Sequence, residues 1–211
     1  MHKDVTGIIL AGGRSSRMGQ NKSFLKLGDK LVIERMVDIV SSLFKDLIII
    51  TNTLSDYEFL GLPIYEDIFR YRGPIAGIHS GLKHSRTDKN FVVSCDIPLM
   101  SREMINCIVE YPTEKPVTIC CAAGYIQPLA GVYSKSMLDA VDKYLTTFEI
   151  ENSDSGESKN KICRMHHFLD QIEIELINPQ NLPFYKDELF FNMNRPDDYE
   201  KIKQTFPANP F

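Results

Sequence analysis

The run LAGGRSSRMGQNK, from Leu10 to Lys22, sets a glycine pair ahead of three cations. Gly12 and Gly13 allow close backbone approach, and Arg14, Arg17 and Lys22 can surround phosphates, which is the chemistry of a phosphate-binding loop. The plain alternative is an ordinary turn with a solvated basic face. The spacing is neither GxxxxGK[ST] nor GxGxxG, so a P-loop and a dinucleotide fingerprint both fit poorly. Ser15 and Ser16 lack the GxSxG elbow and are expected to hydrogen-bond the loop or its ligand. Asp96 offers a hard oxygen at a strand end, suited to Mg²⁺ held against nucleotide phosphates. Its competing role is local: Asp96 or Ser101 would cap the helix after Pro98. Asp67 follows another strand and suits a ribose-side or metal-side contact, or simply a polar loop edge. Asn192 and Asn194 flank Met193, so in an extended segment both amides would project to one side, toward phosphate or metal. Asn194 is equally a natural cap for a helix starting near Arg195-Pro196.

Other chemistries find little support. His166-His167 adjoins no carboxylate at ligand spacing, and His2, His79 and His84 are scattered, so a zinc hydrolase pattern is missing and structural histidines are expected. Cys95, Cys107, Cys120, Cys121 and Cys163 form an odd set without CxxC and are expected to be buried thiols. Phe184, Tyr185, Phe190 and Phe191 are accounted for by packing. Lys and Arg number 24 against 28 Asp and Glu, a net charge of −4. That balance disfavours a nucleic-acid coat and leaves room for a local basic pocket. No run approaches the roughly 20 apolar residues that cross a bilayer, and the chain reads as cytosolic.

The elements that must position these residues follow a βαβ rhythm. VTGIIL is a continuous apolar strand ending at Gly12-Gly13, LVIERMVDIVSSLF carries a helical stripe over residues 31–43, and DLIIITN and LPIYED are further strands. Gly73-Pro74 opens a helix through Leu82, and FVVSC is a strand that Pro98 terminates beyond Asp96. VTICC and LAGVYS add two strands, SMLDAVDKYL a helix, and ENSDSGESKNK a polar loop before a helix ending near Leu169. IEIELI alternates as a partly exposed strand before the final helix. With 211 residues, an α/β fold on a mostly parallel sheet in one domain, residues 1–211, is expected.

In this order, LAGGRSSRMGQNK, GPIAGI (73–78), CDIPL (95–99), QPLAGVY (127–133) and FFNMNRPDDY (190–199) resemble the stations of the molybdenum cofactor guanylyltransferase, or MobA-like nucleotidyltransferase, family. The resemblance spans nearly the whole chain and implies a three-layer, Rossmann-like α/β domain with a nucleotide over the carboxyl ends of its strands. It assigns Gly12, Gly13, Arg17 and Lys22 to the phosphates, with Arg14 beside them, and the backbone of Leu10 and Ala11 to the base. It sets Asn52 by base or ribose, Asp67 on the nucleotide side, and Asp96 on Mg²⁺. It puts Asn192 and Asn194 near acceptor and metal, and gives the loops after Gly77 and Gln127 to the acceptor. Many members have aspartate before the loop lysine, where this chain has Asn21; the swap removes a charge and alters the hydrogen bonding available there.

The implied reaction transfers GMP from Mg-GTP to the terminal phosphate of molybdopterin and releases pyrophosphate, with Lys22, Arg17 and Asp96 as its catalytic residues. Lys22 is expected near the α-phosphate, and Arg14 or Arg17 near the departing phosphates. The alternatives are cytidylyl transfer to the same acceptor, nucleotidyl transfer to a sugar phosphate or phosphorylated alcohol, and a nucleotide-binding adaptor without chemistry. Transient contact with cofactor-insertion or delivery proteins is expected, because a labile product benefits from short transfer. Oligomeric state is left open.

Overall fold

The apolar run after Asp4 becomes a central strand, buried from Val5 to Leu10 because sheet neighbours flank it on both sides. The computed structural model describes residues 1–12, 21–151 and 163–206. Expectations placed on Gly13, Arg14, Ser15, Ser16 and Arg17, and on the polar stretch from Asn152, lie outside the described residues. In chain order, β1 (His2–Leu10) is followed by the hairpin β2 (Lys26–Leu27) and β3 (Lys30–Leu31), then α1 (Val32–Leu43) and β4 (Phe44–Ile50). A 3₁₀ segment over Leu54–Leu60 leads to β5 (Ile64–Tyr65), α2 (Pro74–His84), β6 (Lys89–Ser94) and α3 (Arg102–Val109). Then come β7 (Val117–Ala122), β8 (Tyr125–Ser134), α4 (Leu138–Glu151), α5 (Met165–Leu169), β9 (Ile174–Ile177) and α6 (Pro196–Lys203).

Seven strands form one sheet in the order β5-β4-β1-β6-β8-β7-β9. Only β8 runs against the others, so the sheet is mostly parallel, as expected. Helices cover both faces. Met36 and Val40 of α1 share a core with Met104 and Ile108 of α3, while Ile75 and Ile78 of α2, Val141 of α4 and Phe168 of α5 share the other. The three layers follow from sequence: strands apolar on both faces demand cover on both, and the amphipathic crossover helices supply it. Among the described residues no helix is long and apolar enough to cross a membrane.

One boundary differs from the sequence expectation in a way that moves a site residue. β8 begins at Tyr125 rather than Leu129, so Gln127 and Pro128 sit within a strand and no loop follows Gln127. The β7 register skips from Ile119↔Gly131 to Cys120↔Gln127, which leaves Pro128, with no N–H to donate, in the irregular stretch. Gly131 must be glycine, since a Cβ there would stand 2.7 Å from the Thr118 carbonyl oxygen. No loop follows Gly77 either: α2 continues to His84, and the methyl-sized gap at Gly77 is closed by Leu10 and Asp67.

The α2–α4 contact contains a buried histidine with a pH consequence. His79 is 1% exposed, with Nε2 2.7 Å from Asp142 Oδ1, and Lys83 donates to Asp142 Oδ2 at 3.2 Å. Nδ1 of His79 is buried without a partner among the described residues, as suits a neutral ring donating through Nε2. Burial lowers the His79 pKa from 6.5 despite the opposing pull of Asp142. The folded state therefore binds this proton less readily than the unfolded state, so the stabilisation is complete above about pH 6.5 and is lost as pH falls through the depressed value. The melting temperature should fall on acidification from pH 7 to 5, at about 2–4 °C per kcal/mol lost. A His79→Gln protein should melt lower at pH 7 with a flatter profile; an unchanged profile would remove His79 as its source.

Candidate functional site

Sheet order alone selects one crevice. From β1 the chain crosses to β4 on one side and returns through α2 to β6 on the other, so the carboxyl ends of β1 and β6 part at a switch point. At this edge stand Leu10 at the end of β1 with Ala11 and Gly12 beyond it, Asn52 after β4, Asp67 after β5 and Asp96 after β6. Asn52, Asp67 and Asp96 are polar residues where apolar runs stop, which is why each is at a strand end.

Lys22 reaches this edge from a 3₁₀ turn, Lys22–Phe24, capped by Asn21, whose Oδ1 accepts from the Ser23 N–H at 3.1 Å. The buried Ser23 hydroxyl lies 3.1 Å from Cys95 Sγ, joining the turn to the end of β6. Lys22 Nζ stands 3.5 Å from Asp96 Oδ2 and donates to Asn194 Oδ1 at 2.7 Å. The second Asp96 oxygen, Oδ1, is buried with no hydrogen-bond partner among the described residues. The Met193 N–H donates to the Asp96 carbonyl at 2.8 Å, and the Met193 side chain is fully buried, which brings Asn194 to Lys22. Capping competes for neither residue. Ser101 caps α3 through the Met104 N–H at 3.2 Å, and Asp198 accepts the N–H groups of Asn194 and Arg195 at the start of α6.

A second group lies toward β4 and β5. Asn52 Nδ2 donates to Asp67 Oδ2 at 2.7 Å, while Asn52 Oδ1 is buried with no hydrogen-bond partner among the described residues. Burial raises the Asp67 pKa, partly offset by the bond from Asn52. A Cβ at Gly77 would meet Leu10 Cδ2 at 3.1 Å and Asp67 Oδ1 at 3.6 Å, so Gly77 belongs with this group.

A third feature is a cleft of about 260 Å³ lined by Ile97, Gln127, Leu129 and Asn192, among others. Asn192 donates to the Phe190 carbonyl at 3.2 Å, so the two asparagines flanking Met193 serve different places, one this cleft and the other Lys22. Tyr57 has no counterpart in the sequence expectations: its hydroxyl donates to the Ala11 carbonyl at 2.8 Å and accepts from Asn21 Nδ2 at 3.2 Å. Nothing in its local pattern marked it, since a buried tyrosine in an aperiodic stretch reads as core.

Chemically, a cation, a carboxylate and unspent oxygen acceptors meet at one strand edge. Among the described residues no three His, Cys, Asp or Glu side chains cluster as a complete metal cage. An Mg²⁺ ion needs only one or two carboxylates when substrate phosphates and water complete its shell, and the orphaned Asp96 oxygen suits that. Cys95 is a poor nucleophile, because burial, with Asp96 beside it, pushes its thiol up to about 12. The arrangement suits charge stabilisation and positioning rather than covalent catalysis.

Residues 7–159 match the family described as the MobA-like NTP transferase domain. A Carboxydothermus hydrogenoformans protein named probable molybdenum cofactor guanylyltransferase is 37% identical over 97% of this chain and 98% of its own length. One of the same name from Clostridium perfringens strain 13 is 33% identical over 92% and 93%. The crystal structure of molybdopterin-guanine dinucleotide biosynthesis protein A from Archaeoglobus fulgidus superposes with a TM-score of 0.74, covering 95% of this chain and 97% of that one at 21% identity. That last likeness establishes the fold.

Proposed function

The chain belongs to the MobA-like NTP transferase family, and from that premise we propose that it transfers GMP from Mg-GTP to the terminal phosphate of molybdopterin, forming the guanine dinucleotide cofactor and releasing pyrophosphate. The observation that carries this is the convergence of Lys22, Asp96 and Asn194 at the switch point. An acceptor phosphate oxygen bonds to the α-phosphorus as the bond from that phosphorus to the bridging β-oxygen breaks. A phosphate monoester has a second pKa of about 6 and is already largely dianionic at pH 7, so no general base is required. Mutual repulsion of two anions is the obstacle. Lys22 would neutralise charge at the α-phosphate, and Asp96 would hold Mg²⁺, which supplies further neutralisation when bound. Leu10 and Ala11 with Asn52 and Asp67 would hold the nucleoside, Gly12, Gly13, Arg14 and Arg17 the phosphates, and Gln127 and Asn192 the acceptor. Residues 1–211 are taken as one domain, since Ile202 of α6 packs back against Leu25, Leu27 and Val32.

Purified protein given molybdopterin, Mg²⁺ and either GTP or CTP tests this by product mass. The guanine dinucleotide should form in preference to the cytosine one. A cytosine product would transfer the assignment to the cytidylyl class. Nucleotide binding without any product across molybdopterin, sugar phosphates and phosphorylated alcohols would replace it with the adaptor.

A further inference from the structure

The two chain segments that deliver backbone and cation to the site meet at a buried hydroxyl, that of Tyr57. Tyr57 is fully buried in the core shared by α1 and α3, and its ring lies 5.1 Å from that of Phe24. Its O–H donates to the Ala11 carbonyl at 2.8 Å, immediately beyond β1. The same oxygen accepts from Asn21 Nδ2 at 3.2 Å, immediately before Lys22. Asn21 uses its other terminal atom, Oδ1, to cap the Lys22–Phe24 turn through Ser23 N–H. The polarity of this chain is fixed. A tyrosine hydroxyl has one proton, and that proton is committed to Ala11, so its neighbour must be a donor. An aspartate at position 21 could still cap the turn but could not donate to Tyr57; asparagine does both.

We infer that Tyr57 and Asn21 form a positioning pair that fixes the segment 10–12 against the segment 21–24, and so fixes Lys22 relative to the backbone beside the bound triphosphate. The pair accounts for Asn21 standing before the lysine in this chain. Its effect on nucleotide rests on the nucleotidyltransferase assignment above, whereas the hydrogen-bond chain stands independently of which base or acceptor is used. Neither residue need touch substrate. Their contribution is geometric, and geometry is what a reaction driven by positioning and charge depends on.

Three variants isolate the device. Tyr57→Phe removes only the hydroxyl and keeps the ring. Asn21→Ser keeps a good N-cap acceptor for the turn and is too short to reach Tyr57. The double variant completes a cycle. Affinity for GTP and for CTP is measured with Mg²⁺ and without acceptor, alongside melting temperature and the steady-state KM for molybdopterin. Each single change should weaken binding of the preferred nucleotide about tenfold, as expected for a lost buried hydrogen bond. The double variant should bind about as weakly as the worse single one, and the KM for molybdopterin should stay within about twofold. A purely structural pair would instead lower melting temperature while leaving nucleotide affinity unchanged, and that result would overturn the inference. Multiplying losses in the double variant would overturn the coupling and with it the pair. If the wild-type protein bound neither nucleotide, the assignment of function would fall first, and the positioning role with it.

Discussion

Lys22→Ala is expected to lower turnover about 100- to 1,000-fold at saturating GTP, Mg²⁺ and molybdopterin, the range seen when one group aimed at developing transition-state charge is removed. The expectation comes from where Nζ stands. It is 3.5 Å from a carboxylate oxygen and 2.7 Å from an amide oxygen, with 17% of the side chain exposed, so it is held in place yet open to a ligand. Its loss removes the cation 3.5 Å from Asp96, but that carboxylate is 20% exposed and the fold should survive. Lys22→Arg should recover only part of the rate, because a planar fork cannot take the place of a compact ammonium. Wild-type turnover in Lys22→Ala would remove the residue from the chemistry.

Asp96→Asn is expected to cost about as much, on the order of 100-fold or more, and to move half-maximal activity to higher Mg²⁺. The substitution is nearly isosteric and leaves intact the backbone bond through which the Asp96 carbonyl accepts from Met193. What disappears is the anionic oxygen that has no hydrogen-bond partner among the described residues. Melting temperature should change little, so a loss of rate reports the oxygen rather than the fold. Retained activity with an unchanged Mg²⁺ dependence would contradict the assignment.

The sheet and the strand-end residues were legible because their signals are local. An apolar run that stops at Gly12-Gly13, at Asn52 or at Asp96-Ile97-Pro98 announces both a buried strand and the polar residue at its end. The partners of those residues were not legible. Lys22 and Asn194 are 172 positions apart, and nothing near either one encodes that Met193, buried and bonded to the Asp96 carbonyl, brings the second to the first. The same holds for Tyr57 and Ala11, whose contact depends on how the 3₁₀ segment packs over α1 and α3. The resemblance implies a loop after Gln127, whereas β8 runs through Gln127 and Pro128, and the β7–β8 pair accommodates the proline where the register skips. The resemblance alone gave Gly77 to the acceptor, and its closeness to Leu10 and Asp67 depends on how α2 packs on β1. Residue types announced chemistry, while grouping belonged to tertiary packing.

In the proposed reaction Lys22 and a metal held by Asp96 act on one triphosphate as a unit, and the turnover of the double variant Lys22→Ala/Asp96→Asn beside the two single ones tests this. Groups that stabilise the same charge together are strongly non-additive, so the double variant should be little slower than the slower single variant. If the two losses multiplied in full, the side chains would be serving separate steps or separate ligands, and a shared centre at this edge would be contradicted.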